Sequence, residues 1–115
     1  MTRAEFDRIC SALPAAANVI QWGGSSVWKV GGKVFAIEAD WGRQGAGVVL
    51  KPTGMAREIW RGAEGVRPAP YLGRAGWLMI APGAMTDGEL ADMIGASHAL
   101  ASAKLTRAQT AALGL

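Results

Sequence analysis

Apolar residues recur at Phe6, Ile9, Cys10 and Leu13, the i, i+3, i+4, i+7 spacing of one helical stripe. Thr2 and Glu5 precede the stripe as a T-x-x-E capping box, in which each side chain satisfies an exposed backbone N–H of the first turn. Pro14 ends it. The pattern then turns extended. Val27-Trp28-Lys29-Val30 and Lys33-Val34-Phe35-Ala36-Ile37 flank Gly31-Gly32, the two-residue loop of a type I′ hairpin. That loop predicts a register with Trp28 opposite Phe35 and Lys29 opposite Val34, the two pairs on opposite faces. A glycine-rich loop, Gly42 to Gly47, leads to a third strand, Val48 to Lys51. Pro52-Thr53 opens a second helix with Met55, Ala56, Ile59, Trp60 and Ala63 on one side, closed by Gly62 and Gly65.

The stretch Val66 to Leu72 is extended but holds two prolines, which places it at a sheet edge or on a bulge. Gly73 to Gly76 turns the chain back into a strand, Trp77 to Ile80. Thr86 and Glu89 form another capping box, opening the longest helix, about Asp87 to Leu105. On it Leu90, Met93, Ile94, Ser97, Ala101 and Leu105 share one arc. Thr106 and Gln109 cap a final short helix. The order α-β-β-β-α-β-β-α is not strict alternation, so the expected class is α+β, an antiparallel sheet with helices packed on one face. With no repeat and no linker, one domain over residues 1–115 is expected.

Composition narrows the class. Half of the 115 residues are apolar, enough for one buried core. Apolar runs are broken by Gly, Pro or charge well short of the roughly 20 residues of a membrane span, and the N-terminus lacks a signal peptide's apolar region. A single cysteine, Cys10, forms no internal disulfide. A reducing cytoplasm and no membrane partner are the expectation. Twelve bases against nine acids give +3, which permits an anionic partner without demanding one.

Catalytic chemistry needs titratable groups that converge. His98 is the only histidine, at the edge of the buried arc of the last long helix, and reads as a packing residue. Cys10 reads as a small buried apolar residue. Glu38 and Asp40 alternate along a strand and offer at most a weak cation site, and a solvated strand end is their ordinary reading. Ser25 and Ser26 follow two glycines and lack a G-x-S-x-G elbow. Gly42, Gly45 and Gly47 lie between strands, whereas a phosphate loop runs from strand into helix. No catalytic residue, metal or cofactor is expected, and the chain is not expected to be an enzyme. The basic residues carry more. Lys29, Lys33, Lys51, Arg67 and Arg74 all fall on strands or hairpin tips, where they serve either an anionic partner or the deterrence of edge-to-edge aggregation. Trp22, Tyr71 and Trp77 are the aromatics set to line a groove.

Several blocks together resemble the MmcQ/YjbR family of small bacterial proteins. They are Trp22-Gly23, Lys29-Val30-Gly31-Gly32-Lys33-Val34-Phe35-Ala36, Leu50-Lys51, Gly65 to Leu72 with Trp77, Ser97-His98-Ala99-Leu100, and Lys104-Leu105. The resemblance runs in order from Leu13-Pro14 to Leu105. It implies a two-layer α-β(3)-α-β(2)-α fold shared with type III secretion chaperones and similar to a phage double-wing domain. From that likeness of shape comes the DNA-binding label the family carries. Two positions depart from the pattern. Ala75-Gly76 stand where members often have further basic or polar residues before the tryptophan, which removes positive charge from a wing, and His98 stands where an aromatic is common. The expectation is therefore a module that binds DNA phosphates without sequence preference, with Lys29, Lys33, Lys51, Arg67 and Arg74 as contacts. The alternative is a chaperone-like protein-interaction module whose partner is another protein or a second copy. A contiguous basic face favours the first, and bases dispersed around an apolar patch favour the second.

Overall fold

In the computed structural model, which describes residues 1–115, the chain runs α1 (Arg3–Ser11), β1 (Ala16–Gln21), β2 (Ser25–Val30), β3 (Lys33–Asp40), β4 (Ala46–Leu50) and α2 (Gly54–Trp60). It continues through β5 (Val66–Pro68), β6 (Leu78–Ile80), α3 (Asp87–Ser102) and α4 (Arg107–Ala112). Six strands form one antiparallel sheet in the order β1-β2-β3-β4-β6-β5. The fold is α+β, in two layers. Helix starts follow their local signals. Thr86 and Thr106 make reciprocal capping boxes with Glu89 and Gln109. At α1 only half the box forms: the Thr2 hydroxyl accepts from the Glu5 N–H at 3.2 Å, and Glu5 does not reach back.

The β2–β3 hairpin turns on Gly31 and Gly32 at φ 56° and 78°, the left-handed pair that a type I′ turn requires. Lys29 pairs with Val34 as the turn dictates, but Trp28 pairs with Ala36 and not with Phe35. Phe35 is an extra residue, a β-bulge that shifts the register between Trp28 and Lys29. The bulge has a partner in the helix layer. The Ser97 hydroxyl of α3 donates to the Phe35 carbonyl at 2.6 Å and accepts from the Lys51 N–H at 3.0 Å. One buried side chain thus satisfies the bulge and the end of β4 together, the accounting that buried backbone polar groups impose.

The bulge changes which side of β3 is buried against what. On the helix-facing side, Phe6 and Cys10 of α1 and Leu90, Met93, Ile94 and Ala101 of α3 pack with Trp28, Val30, Phe35, Leu50, Leu78 and Ile80. A Val, Leu, Ile, Phe or Met side chain fully buried there contributes about 1.5–3 kcal/mol. Val27, Ile37, Ala39, Val49 and Met79 form a second buried cluster on the other side. No helix covers that side; Ala69, Leu72 and Trp77 of the β5–β6 connection, together with Trp41, pack over part of it. We refer to it as the open face.

Two elements differ from expectation. β1 is an edge strand whose residues Ala17 to Ile20 are exposed on both sides, so no alternation of apolar and polar positions marks it in the sequence. In α2, Ala56 and Trp60 pack on the core, while Met55 and Ile59 remain 77% and 68% exposed. The short helix presents a narrower apolar face than its composition promised. β5 is an edge strand, as its prolines require.

Gly47 has a distinct reason to be glycine. At φ 138° a Cβ there would stand 2.0 Å from the Ile80 carbonyl oxygen, so β4 and the end of β6 approach more closely than any side chain permits. At Gly32 nothing lies within 4 Å of such an atom, and only backbone strain opposes substitution. Gly32→Ala should therefore cost about 1 kcal/mol and Gly47→Ala about 3 kcal/mol or more, read from urea unfolding. Equal losses at the two positions would contradict the close approach of β4 to β6.

Candidate functional site

Two aromatic residues on the open face have backbones that bulky side chains rarely adopt. Trp22, in the β1–β2 turn, has φ 52°, and Tyr71, between β5 and β6, has φ 67°. The Trp22 carbonyl accepts from the Ser25 hydroxyl at 2.9 Å and from the Trp41 indole N–H at 3.3 Å, which fixes the turn. Tyr71 sits at the centre of a three-residue turn closed by the Leu72 N–H on the Pro70 carbonyl at 2.8 Å, a strained γ-turn. Such conformations cost of order 1–3 kcal/mol each and persist where surrounding structure enforces them, often at functional sites. Neither ring gains much burial in return, with Tyr71 82% and Trp22 50% exposed.

Both rings line one hollow of about 600 Å³, with Gly23, Asp40, Trp41, Gln44, Pro70 and Leu72. Trp41 links the hollow to the open-face cluster, against which it packs. Its indole N–H is shared between the Trp22 carbonyl and the Ser25 hydroxyl, at 3.3 and 3.1 Å, and its ring meets Tyr71 edge-to-face at 6.1 Å. Asp40 is the only charged residue in the lining. Trp22 and Tyr71 were legible as groove aromatics. Trp77 is not part of this hollow; it packs beside the open-face cluster and lines a separate cleft. Trp41 was missed, because Asp40-Trp41-Gly42 has no periodicity to mark it.

The basic residues divide. Lys29 lies opposite Val34, and Arg67 opposite Met79, both open-face positions. Lys51 donates its ammonium to the Ala75 carbonyl in the connection that lies over this face, and Arg74 belongs to the same connection. Lys33 pairs with Val30 on the helix-facing side and joins Lys51 and Lys104 around a cleft that holds Trp77. Lys104 is a third member that the sequence did not single out. None of these residues makes an ion pair; the pairs are Met1 N-terminus–Asp87, Arg3–Glu38 and Arg61–Glu58. β2, β3 and β4 are interior strands, so deterrence of edge aggregation does not account for Lys29, Lys33 or Lys51.

The acids occupy the other layer. Glu5 and Asp7 are on α1, Asp87, Glu89 and Asp92 on α3, and Glu58 on α2. Glu38 is turned to the helix side by the bulge, where Arg3 of α1 pairs with it. Glu64 lies in the turn before β5, which leaves Asp40 as the acid beside the hollow. Glu89, whose carboxylate accepts the Thr86 backbone N–H in the capping box, is held below the usual carboxylate range.

The remaining sequence candidates are structural. Asp7 accepts from the Ser26 hydroxyl at 2.6 Å and the Trp28 indole at 2.9 Å, tying α1 to β2. Ser25 serves the Trp22 turn. His98 Nε2 lies 2.8 Å from the Pro14 carbonyl; a carbonyl only accepts, so that nitrogen carries the proton. The His98 ring also meets Phe35 edge-on at 5.0 Å. Gly42 to Gln44 form a short 3-10 turn between strands. Glu38 and Asp40 do not become a metal cluster, and no group of three or more His, Cys, Asp or Glu residues converges.

A family model, YjbR, matches residues 11–100. The chain belongs to the YjbR family. The match spans β1 through most of α3, and so takes in the whole sheet, both strained aromatics and Lys29, Lys33, Lys51, Arg67 and Arg74. No curated protein matches the chain. No helix of this YjbR protein is long and apolar enough to cross a membrane.

Cys10 is fully buried between α1 and the sheet, and burial, with the nearby Asp7 charge, pushes its thiol from 9.0 up to about 12. Folding thus favours the protonated thiol. Its contribution is present in full below pH 9 and is lost as pH rises toward 12. Urea unfolding across that range should show wild-type stability falling faster than that of Cys10→Ala, by about 1 kcal/mol per pH unit. Parallel curves would contradict the buried, protonated thiol.

Proposed function

We propose that the open face is a nucleic-acid-binding surface whose contacts are mainly to phosphates, and that the protein acts by binding and not by catalysis. The observation that carries this reading is the scarcity of acids on the open face; the helix layer carries both signs, with Arg3, Arg8, Arg57 and Arg107 among its acids. Lys29, Lys51, Arg67 and Arg74 stand unpaired on or beside the open face, while the acids, Asp40 apart, lie on the helix layer, its side of β3 or the turn before β5. A surface of one sign attracts a polyanion and releases its counterions on binding. Lys33 and Lys104 extend the basic zone around the Trp77 cleft. No helix rich in bases lies on this face to enter a groove, so affinity comes from the backbone and sequence preference is small.

A second reading rests on β1. It is an exposed edge strand, Ala-Ala-Asn-Val-Ile-Gln, with no charge or proline to block pairing by another chain, and Ile20 on it is 58% exposed. That strand fits a protein partner or a second copy.

Fluorescence anisotropy of a labelled DNA at several salt concentrations separates the two. With about four or five phosphate contacts, log K should fall against log salt with a slope near −4. Lys29→Ala, Arg67→Ala and Arg74→Ala should each flatten the slope by about one unit, and Arg8→Ala on α1 should leave it unchanged. No binding at low salt with about 100 μM protein would overturn the nucleic-acid reading and favour the protein partner.

A further inference from the structure

We propose that the Trp22–Trp41–Tyr71 hollow takes an unpaired nucleobase bearing an exocyclic amine, so that the open face prefers single strands to closed duplex. The inference rests on the nucleic-acid reading above and supplies what the basic residues do not explain. Phosphate needs cations, yet the one charged residue lining the hollow is Asp40, at the end of β3, which also borders the helix-side cleft with Met1 and Glu38. Its Oδ1 accepts the Gly42 N–H at 3.1 Å, and the carboxylate makes no other hydrogen bond and no ion pair within the chain. Such a group repels phosphate and attracts N–H donors. Cytosine, adenine and guanine offer an exocyclic amine as that donor, whereas thymine offers only its ring N3–H, flanked by two carbonyl oxygens that a carboxylate repels.

The rings supply the other half of base recognition. Tyr71 and Trp22 expose π-surface beside Trp41, and a base gains by stacking on such surface whatever its identity. Their left-handed backbones, at φ 67° and 52°, hold both rings outward although the fold gains little packing from them. The hollow, at about 600 Å³, falls within the usual range of small-ligand sites. Positive charge stands near the hollow and not in its lining. Arg67 reaches Gly45, where a Cβ would lie 2.8 Å from its guanidinium, and Arg43 belongs to the same turn as Gln44. Phosphates on either side of a seated base thus meet cations while the base edge meets Asp40.

Anisotropy with labelled oligodeoxycytidine, oligothymidine and a duplex tests this on the full chain. Oligodeoxycytidine should bind about 10-fold tighter than oligothymidine or duplex and quench tryptophan fluorescence. Trp22→Gly and Tyr71→Gly remove a ring while suiting the left-handed backbone, so thermal unfolding should be unchanged or shifted upward. Both should lose about 10-fold in single-strand affinity and leave duplex affinity alone. Asp40→Asn should narrow the margin of cytidine over thymidine. Equal binding of all three nucleic acids, untouched by Trp22→Gly and Tyr71→Gly, would overturn the nucleobase assignment and leave the phosphate-binding reading standing. Absence of all nucleic-acid binding would overturn both. Capture of an aromatic-rich peptide in place of the oligonucleotides, lost in Trp22→Gly, would assign the hollow to a protein partner and overturn the proposal.

Discussion

Phe35 is the residue by which β3 outnumbers β2, and its carbonyl is held by the Ser97 hydroxyl of α3, which in turn accepts the Lys51 N–H. The Gly31-Gly32 turn fixes the register at the tip of the hairpin. Carried on without the extra residue, that register would set Ile37 opposite Ser26 and turn it toward the helices, with Glu38 on the open face. The bulge reverses this. Ile37 and Ala39 instead join Val27, Val49 and Met79 in the open-face cluster, and Glu38 meets Arg3 of α1. Removing the Ser97 hydroxyl would leave a buried carbonyl and a buried N–H unsatisfied, a larger loss than one net hydrogen bond.

From that one insertion follow the two properties on which the functional reading depends. The open face is apolar enough to need cover, which the β5–β6 connection supplies, and in crossing it the connection takes the tight turn that projects Tyr71. The same face is also cleared of an acid, so Lys29, Arg67 and Arg74 look out on a surface with Asp40 alone to oppose them. The fold thus places Lys29, Arg67, Arg74 and the aromatic hollow on one side, and most of the acids on the other.

How much of this the sequence held depends on how local each feature is. The capping boxes at Thr86 and Thr106, the glycine turn and the arc of α3 are set by residues within a few positions of one another, and they are found as read except that α3 ends at Ser102 and leaves Leu105 beyond it. β1 was invisible because an exposed edge strand needs no alternation, and the bulge because nothing near Phe35 reports the Ser97 hydroxyl 62 residues away. Trp22 and Tyr71 were recognisable as aromatics beside turn residues, but their convergence with Trp41, and the loss of Trp77 from the group, follow from how the connection crosses the sheet. The five bases first singled out do not all lie on one face. Strand parity moves Lys33 to the helix side, and Lys104 joins it from the end of α3.

Nucleic-acid binding of the kind proposed requires the ligand to meet the open face. Chemical-shift mapping on isotopically labelled protein titrated with a single-stranded oligonucleotide tests it residue by residue. Perturbed amides are expected at Lys29, Arg67 and Arg74 and perturbed indole signals at Trp22 and Trp41, with the outer surfaces of α1 and α3 silent. Perturbations confined to α1, α3 or the β1 edge, with the indoles of Trp22 and Trp41 unmoved, would contradict it.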